Sequence, residues 1–171
     1  MVFISLSATA AAQEDHPAVP EILARAESLF QSMKRRDYPS IFAALSAKSR
    51  KTIVAETTSA LAIAAKKARP GEPTAAETPS TSGRDPAPGP EMVVTDFIAG
   101  GPIARDYWDA FLSRFDPDVA LEHSRWEIGS VGKDRAELLL TYHGADHPAR
   151  LQMIREDSGW MVGLVETFWS R

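Results

Sequence analysis

The chain has 171 residues and no cysteine, with 19 basic side chains against 23 acidic ones for a net charge of −4. That length suffices for one domain with a real core, and the acidic balance argues against a nucleic-acid-binding surface. The missing thiols exclude disulfides, thiolate metal sites, a cysteine nucleophile and a lipidated-cysteine anchor.

At the N-terminus, Val2 to Ala12 carries no charge and runs from bulky apolar residues into Ala8-Thr9-Ala10-Ala11-Ala12, with polar Gln13-Glu14-Asp15 following. This is the pattern of the apolar and cleavage regions of a secretory signal peptide. Residues 1–13 are therefore read as a signal peptide or a disordered tail, and the mature chain as secreted or periplasmic. The positive start of such a signal is missing, since the first basic residue is Arg25. The segment is too short to cross a bilayer, and no other long uncharged apolar run occurs, so no membrane span is expected.

Residues 17–69 read as the helical part of the domain. Pro17 and Pro20 suit a helix start, and Ile22, Ala26, Leu29, Phe30 and Met33 then form one apolar stripe at helical spacing. Lys34, Arg35 and Arg36 complement the dipole at its end, and Asp37-Tyr38-Pro39 stops it. A short second helix opens at Pro39 with Ile41, Phe42 and Leu45 inward. Ser46 or Ser49 caps a third, whose inner face is Ile53, Thr57, Ala60, Leu61 and Ala64, and Pro70-Gly71 ends it.

Residues 70–91 hold half the prolines of the chain among Thr, Ser, Ala, Gly and Glu. Such a composition buries too little to offset its ordering entropy, which predicts a flexible loop. Residues 92–171 then complete the same domain. Met92 to Ile98 is ambiguous. Ile103, Tyr107, Trp108, Phe111, Leu112 and Phe115 predict an amphipathic helix that Asp116-Pro117 ends.

From Ser124 the period changes to two. The predicted strands run over Trp126–Val131, Ala136–His143, Leu151–Ile154 and Trp160–Trp169, with turns at 132–134, 143–148 and 156–159. Short turns between them make an antiparallel meander. Trp126, Leu138, Leu140, Met153 and Trp160 or Val162 fit one face. Leu139, Ile154, Val165 and Trp169 leave apolar groups on the other, where a half-wet sheet should be polar. A homodimer through that outer face is expected.

Helices followed by a four-stranded meander is the element order of the nuclear transport factor 2-like superfamily. The opening AESLFQSMKRRDYPSIFAALSAKSR, residues 26–50, resembles the start of many members. The close IGSVGKDRAELLLTYHG…LQMIREDSGWMVG, residues 128–163, is similar to the strand pattern of its small secreted, uncharacterised branch. The Pro-rich insert and the helix over 103–115 depart from the compact family plan. The resemblance implies an α+β fold in which N-terminal helices pack on a curved four-stranded antiparallel meander, leaving a cone with an apolar pocket. The superfamily holds isomerases and dehydratases as well as non-catalytic binding and assembly modules. Its enzymes place an Asp, alone or with a His, in the pocket, and none of those positions is matched here residue by residue.

Tyr107, Trp108, Phe111, Trp126, Leu138, Leu140, Tyr142 and Met153 are the candidate pocket residues. Aromatic groups with polar ends line many apolar ligand sites, although the same cluster also suits a closed core. His143 and His147 in His143-Gly144-Ala145-Asp146-His147 have the spacing of two metal ligands on a helix, but they fall in a turn, so neither a metal nor a cofactor is expected. Two functions remain from this reading, beside a purely structural homodimer whose closed core would show no cavity. One is a non-catalytic exported binding or assembly module that takes a small apolar ligand. The other is a pocket enzyme of the isomerase or dehydratase type with His123 or Asp96 as proton acceptor.

Overall fold

The computed structural model describes residues 16–67 and 87–168. The segment 1–13, most of the Pro-rich segment 70–91, and Trp169 lie outside the described residues. The fold is α+β: a set of helices, then a four-stranded antiparallel sheet in the order β1-β2-β3-β4 that does not close into a barrel.

Helix α1 (Val19–Arg35) carries Pro20 in its first turn and buries the expected stripe of Ile22, Ala26, Leu29, Phe30 and Met33. It ends where Arg36 takes a left-handed conformation and donates its N–H back to the Met33 carbonyl. Helix α2 (Tyr38–Ala43) starts on Asp37, whose carboxylate accepts the Ser40 N–H. Helix α3 (Ala47–Lys67) starts on Ser46, whose hydroxyl accepts the Ser49 N–H. Its inner face is shorter than the spacing suggests. Ile53 and Val54 are buried and Thr57 and Leu61 half-buried, but Ala60 and Ala64 are exposed, because the second half of α3 runs past the core.

The ambiguous stretch is helical, as α4 (Pro90–Ala99), and α5 (Pro102–Leu112) follows after Gly100-Gly101. Asp96 joins the two, accepting the Ala104 N–H in the first turn of α5 at 2.8 Å. A Cβ on Gly101 would collide with this carboxylate, so glycine is required at that close approach. Asp116-Pro117 ends α5 but also begins a helix that the periodicity does not reveal, α6 (Pro117–Glu122), with the Asp116 carboxylate accepting the Asp118 N–H. Six residues are too few for an amphipathic repeat to show.

Strands β1 (Ser124–Val131), β2 (Arg135–Tyr142), β3 (Ala149–Glu156) and β4 (Gly159–Gly163) form the meander. The register pairs Trp126 with Leu140, Leu138 with Leu151, Ala136 with Met153 and Met153 with Val162, so these side chains share the inner face. A bulge between Ile128 and Ser130 bends β1. The free edge of β4 is covered by the α2–α3 connection: Ser46 N–H donates to the Val162 carbonyl and Val162 N–H to that of Ala44.

The last strand ends at Gly163 and does not run to Trp169 as expected. Leu164–Phe168 forms a short helix, α7. The alternation of Leu164, Val165, Glu166, Thr167 and Phe168 imitates a strand, but distant partners decide the outcome. The Glu166 carboxylate accepts from the Ser46 and Ser49 hydroxyls at 2.9 and 2.8 Å, and the Val165 N–H donates to Ser49 Oγ. Both serines are fully buried at the start of α3, where a negative charge also meets the positive end of the helix dipole. Gly163 leaves room for this turn, since a Cβ there would sit 3.1 Å from Glu166 and from Ile154. Val165 is therefore buried in a helix and does not belong to an outer sheet face. Leu139 and Ile154 remain on that face, both half-buried.

The core lies between α1 and the inner sheet face and is closed by α4 and α5. Ile22, Leu29, Leu45, Phe97, Trp108, Leu138, Met153 and Trp160 are completely buried in it. Among the described residues no helix is long and apolar enough to cross a membrane.

Candidate functional site

Strand β4 has five residues where β3 has eight, so it pairs only with the Gln152–Glu156 half of β3. The other half, Ala149–Leu151, has no β4 partner. Helix α7 takes that place. Thr167 Oγ1 accepts the Gln152 N–H at 2.9 Å and donates to the Gly163 carbonyl at 2.6 Å. A helix does not fill space as a strand does, and a cavity of about 380 Å³ opens beneath it.

The cavity wall comes from five directions. Helix α1 gives Phe30 and Met33, the end of α5 and the turn after it give Phe111 and Phe115, α6 gives Val119 and Ala120, the sheet gives Leu140 and Leu151, and α7 gives Leu164 and Phe168. Phe30 stacks on Phe115 at 5.8 Å, and Phe115 meets Phe111 at 5.6 Å. Tyr142 and Phe168 stand at the open end, 49% and 58% exposed. The polar groups in the wall are largely satisfied locally. Ser124 Oγ donates to the Val119 carbonyl, and Thr167 is committed as described. Arg150 contributes to the rim, but it pairs in register with Leu139, and its guanidinium lies 4.0 Å from Glu137.

The α6 side of the wall is fixed to α1 by charge. Lys34 Nζ lies 2.6 Å from both Asp118 and Glu122. Its hydrogen bonds to Asp118 and then Glu122 push its pKa above the ordinary lysine value, so the ammonium form persists. Asp109 on α5 accepts from Arg36 and from the Tyr38 hydroxyl. Trp126 ties β1 to α6 through its indole N–H on the Ala120 carbonyl, with its ring edge-on to Phe30 at 5.7 Å.

The eight candidate pocket residues are divided by the structure. Phe111, Leu140 and Tyr142 line the cavity. Trp108, Leu138 and Met153 are completely buried outside its wall. Trp126 supports the wall from behind through Phe30. Tyr107 packs edge-on against Phe97 and Trp108 and lines a separate groove of about 480 Å³ on the far side of Phe111. Burial, with a smaller contribution from the charge of Glu56, pushes the Tyr107 phenol up to about 12.

The proposed proton acceptors lie elsewhere. Asp96 caps α5 and is absent from the wall. His123 is exposed at the end of α6, where its carbonyl accepts the His143 N–H. His143 and His147 are exposed in the β2–β3 turn, and among the described residues no group of three possible metal ligands comes together.

Phe30 and Met33 were legible as an apolar stripe but not as cavity wall, because the stripe does not say which of its residues meet a void. Val119, Ala120, Leu164 and Phe168 were missed because both short helices were missed. No family model, characterised protein or solved structure matches the chain.

Proposed function

We propose that this chain is a non-catalytic binding module whose cone takes a small apolar ligand between α1, α6, α7 and the inner sheet face. The observation that carries this reading is the wall itself. It encloses about 380 Å³ with phenylalanine, leucine, methionine and alanine side chains, and no carboxylate or imidazole is among its described residues. That volume lies in the range of pockets that hold small molecules. A reaction that moves a proton needs a titratable group placed at the substrate; the titratable side chains of the wall, Tyr142 and Arg150, stand at its rim, and its interior gives shape and apolar contact.

The order of helices and meander supports placing the fold with the nuclear transport factor 2-like cones. The uncharged run ending in Ala10-Ala11-Ala12 supports export to a secreted or periplasmic location. Pairing of two copies through the outer sheet face rests on Leu139 and Ile154, and sedimentation at micromolar concentration tests it by giving dimer or monomer.

The test of the cavity is a thermal-shift series with apolar probes of increasing size, the full chain held at one concentration. A ligand at a hundred times its dissociation constant stabilises by about 2.7 kcal/mol. Replacing Leu164 by Trp should fill the space and abolish the shift while leaving the fold intact by circular dichroism. Equal shifts in both proteins would place any binding elsewhere, and no shift with any probe would overturn the reading.

A further inference from the structure

Along a strand, successive residues turn their backbone N–H and C=O to opposite edges. In β3 the Arg155 N–H donates to the Asp134 carbonyl, on the β2 side, and the Gln152 N–H donates to Thr167 Oγ1, on the other. The β2–β3 register runs without a break from Arg135 opposite Ile154 to Leu140 opposite Ala149. Arg150 therefore has the parity of Gln152, and its N–H and C=O leave the sheet on the edge that β4 does not reach. Among the described residues neither group has a hydrogen-bond partner. Ala149 and Arg150 are exposed, so this edge is open to solvent.

Parity also sorts the side chains. Arg150 stands opposite Leu139, on the outer face, while Ala149 and Leu151 stand opposite Leu140 and Leu138, on the inner face. Ala149, Arg150 and Leu151 all line the cavity, with Leu140 beside them. One main-chain donor and one main-chain acceptor thus lie at the margin of a wall whose interior is apolar. An extended residue set antiparallel against Arg150 would exchange two backbone hydrogen bonds with it, as cross-strand partners do. Its own side chain would then go to the outer face, and the side chains before and after it to the inner face, where the cavity is.

Building on the cavity reading, we infer that the ligand is a short extended peptide, with two apolar side chains flanking a central residue, that adds to the free half of β3 and puts both apolar groups into the cavity. In this mode of recognition, main-chain bonds to a strand edge supply affinity and the pockets for alternate side chains supply selectivity. A compact apolar molecule fills the same space but leaves the Arg150 N–H and C=O to water.

Isothermal titration of the full chain with acetyl-Leu-Thr-Leu-amide tests this. Methylating the threonine nitrogen of the peptide removes the donor that meets the Arg150 carbonyl and should weaken binding about fivefold, the scale of one backbone hydrogen bond. Replacing either leucine of the peptide by alanine should weaken it more than about tenfold. Arg150→Pro lacks the N–H on the sheet edge, where proline is tolerated in a strand. It should bind the peptide about fivefold more weakly than Arg150→Ala, which keeps that N–H. Exchange of the Arg150 amide hydrogen should slow when the peptide binds and not when the apolar probes of the thermal-shift series do. If the proline variant does not fold, the methylated peptide and the exchange rate on the wild-type chain decide. A methylated peptide that binds as tightly as its parent, an unchanged Arg150 exchange rate, or no peptide binding beside clear shifts with the apolar probes would overturn the strand addition while the cavity reading stands. Binding of neither the peptide nor any apolar probe would overturn both.

Discussion

Leu138 and Leu140 lie two residues apart on β2 and point to the same face, yet they should respond differently to truncation. Leu138 is completely buried and lies outside the cavity wall, with Ile128 and Leu151 as its cross-strand partners. Leu138→Ala creates a new void in a packed region. Its expected cost is about 3–5 kcal/mol, the sum of lost transfer energy and a void term near 24 cal/mol per Å³. Leu140 is 8% exposed and already faces about 380 Å³ of open space. Leu140→Ala enlarges that space, so the void term largely drops out and about 2 kcal/mol of transfer energy remains. The gap of roughly 2 kcal/mol corresponds to about 4–8 °C in melting temperature for a chain of this size. Urea unfolding with a common slope for both variants measures it. A cost for Leu140→Ala equal to or above that of Leu138→Ala would show that the residue packs in a closed core and would refute the cavity argument.

Two further outcomes test the supports of the site. Glu166→Ala removes the acceptor that holds α7 to Ser46 and Ser49, and a charge-assisted bond of this kind is worth about 1.5–3 kcal/mol. Chemical unfolding should show that loss, and hydrogen exchange at the Gln152 and Val165 amides should speed up as α7 loosens. Tyr107 supplies a pH signature. Its folded phenol is raised to about 12 from the ordinary value of 10.0, so between those values the unfolded chain releases the proton first. Stability that is full below pH 10 should therefore fall as pH rises through this window, and Tyr107→Phe should flatten that part of the stability curve.

What the sequence made legible was periodicity backed by length. The stripe of α1 and the alternation of β2 and β3 each repeat enough times to be read directly, and each is buried as expected. What it hid were elements decided by distant partners. Glu166 becomes helical through two serines more than a hundred positions earlier, and α6 is too short to show a period. Both hidden helices line the cavity. Of the eight candidate pocket residues only Phe111, Leu140 and Tyr142 line the cavity, while Trp108, Leu138 and Met153 are packed core.

The placement of the cavity follows from a single shortage in the sheet. With β4 ending at Gly163, the inner residues of β2 and β3 nearest that end, Leu140 and Leu151, face a helix rather than the continuation of a strand. Nearer the other end, Ala136, Met153 and Val162 sit side by side across three strands and are buried, with β4 packed against α1. One face thus carries two regimes, close packing where four strands run together and open space where only three do. The boundary falls between Leu138 and Leu140. On the four-stranded side Glu21 of α1 also accepts the Trp160 N–H. On the open side, the polar ties of Lys34 to α6 and Glu166 to α7 add to the burial of Ala120, Leu164 and Val165.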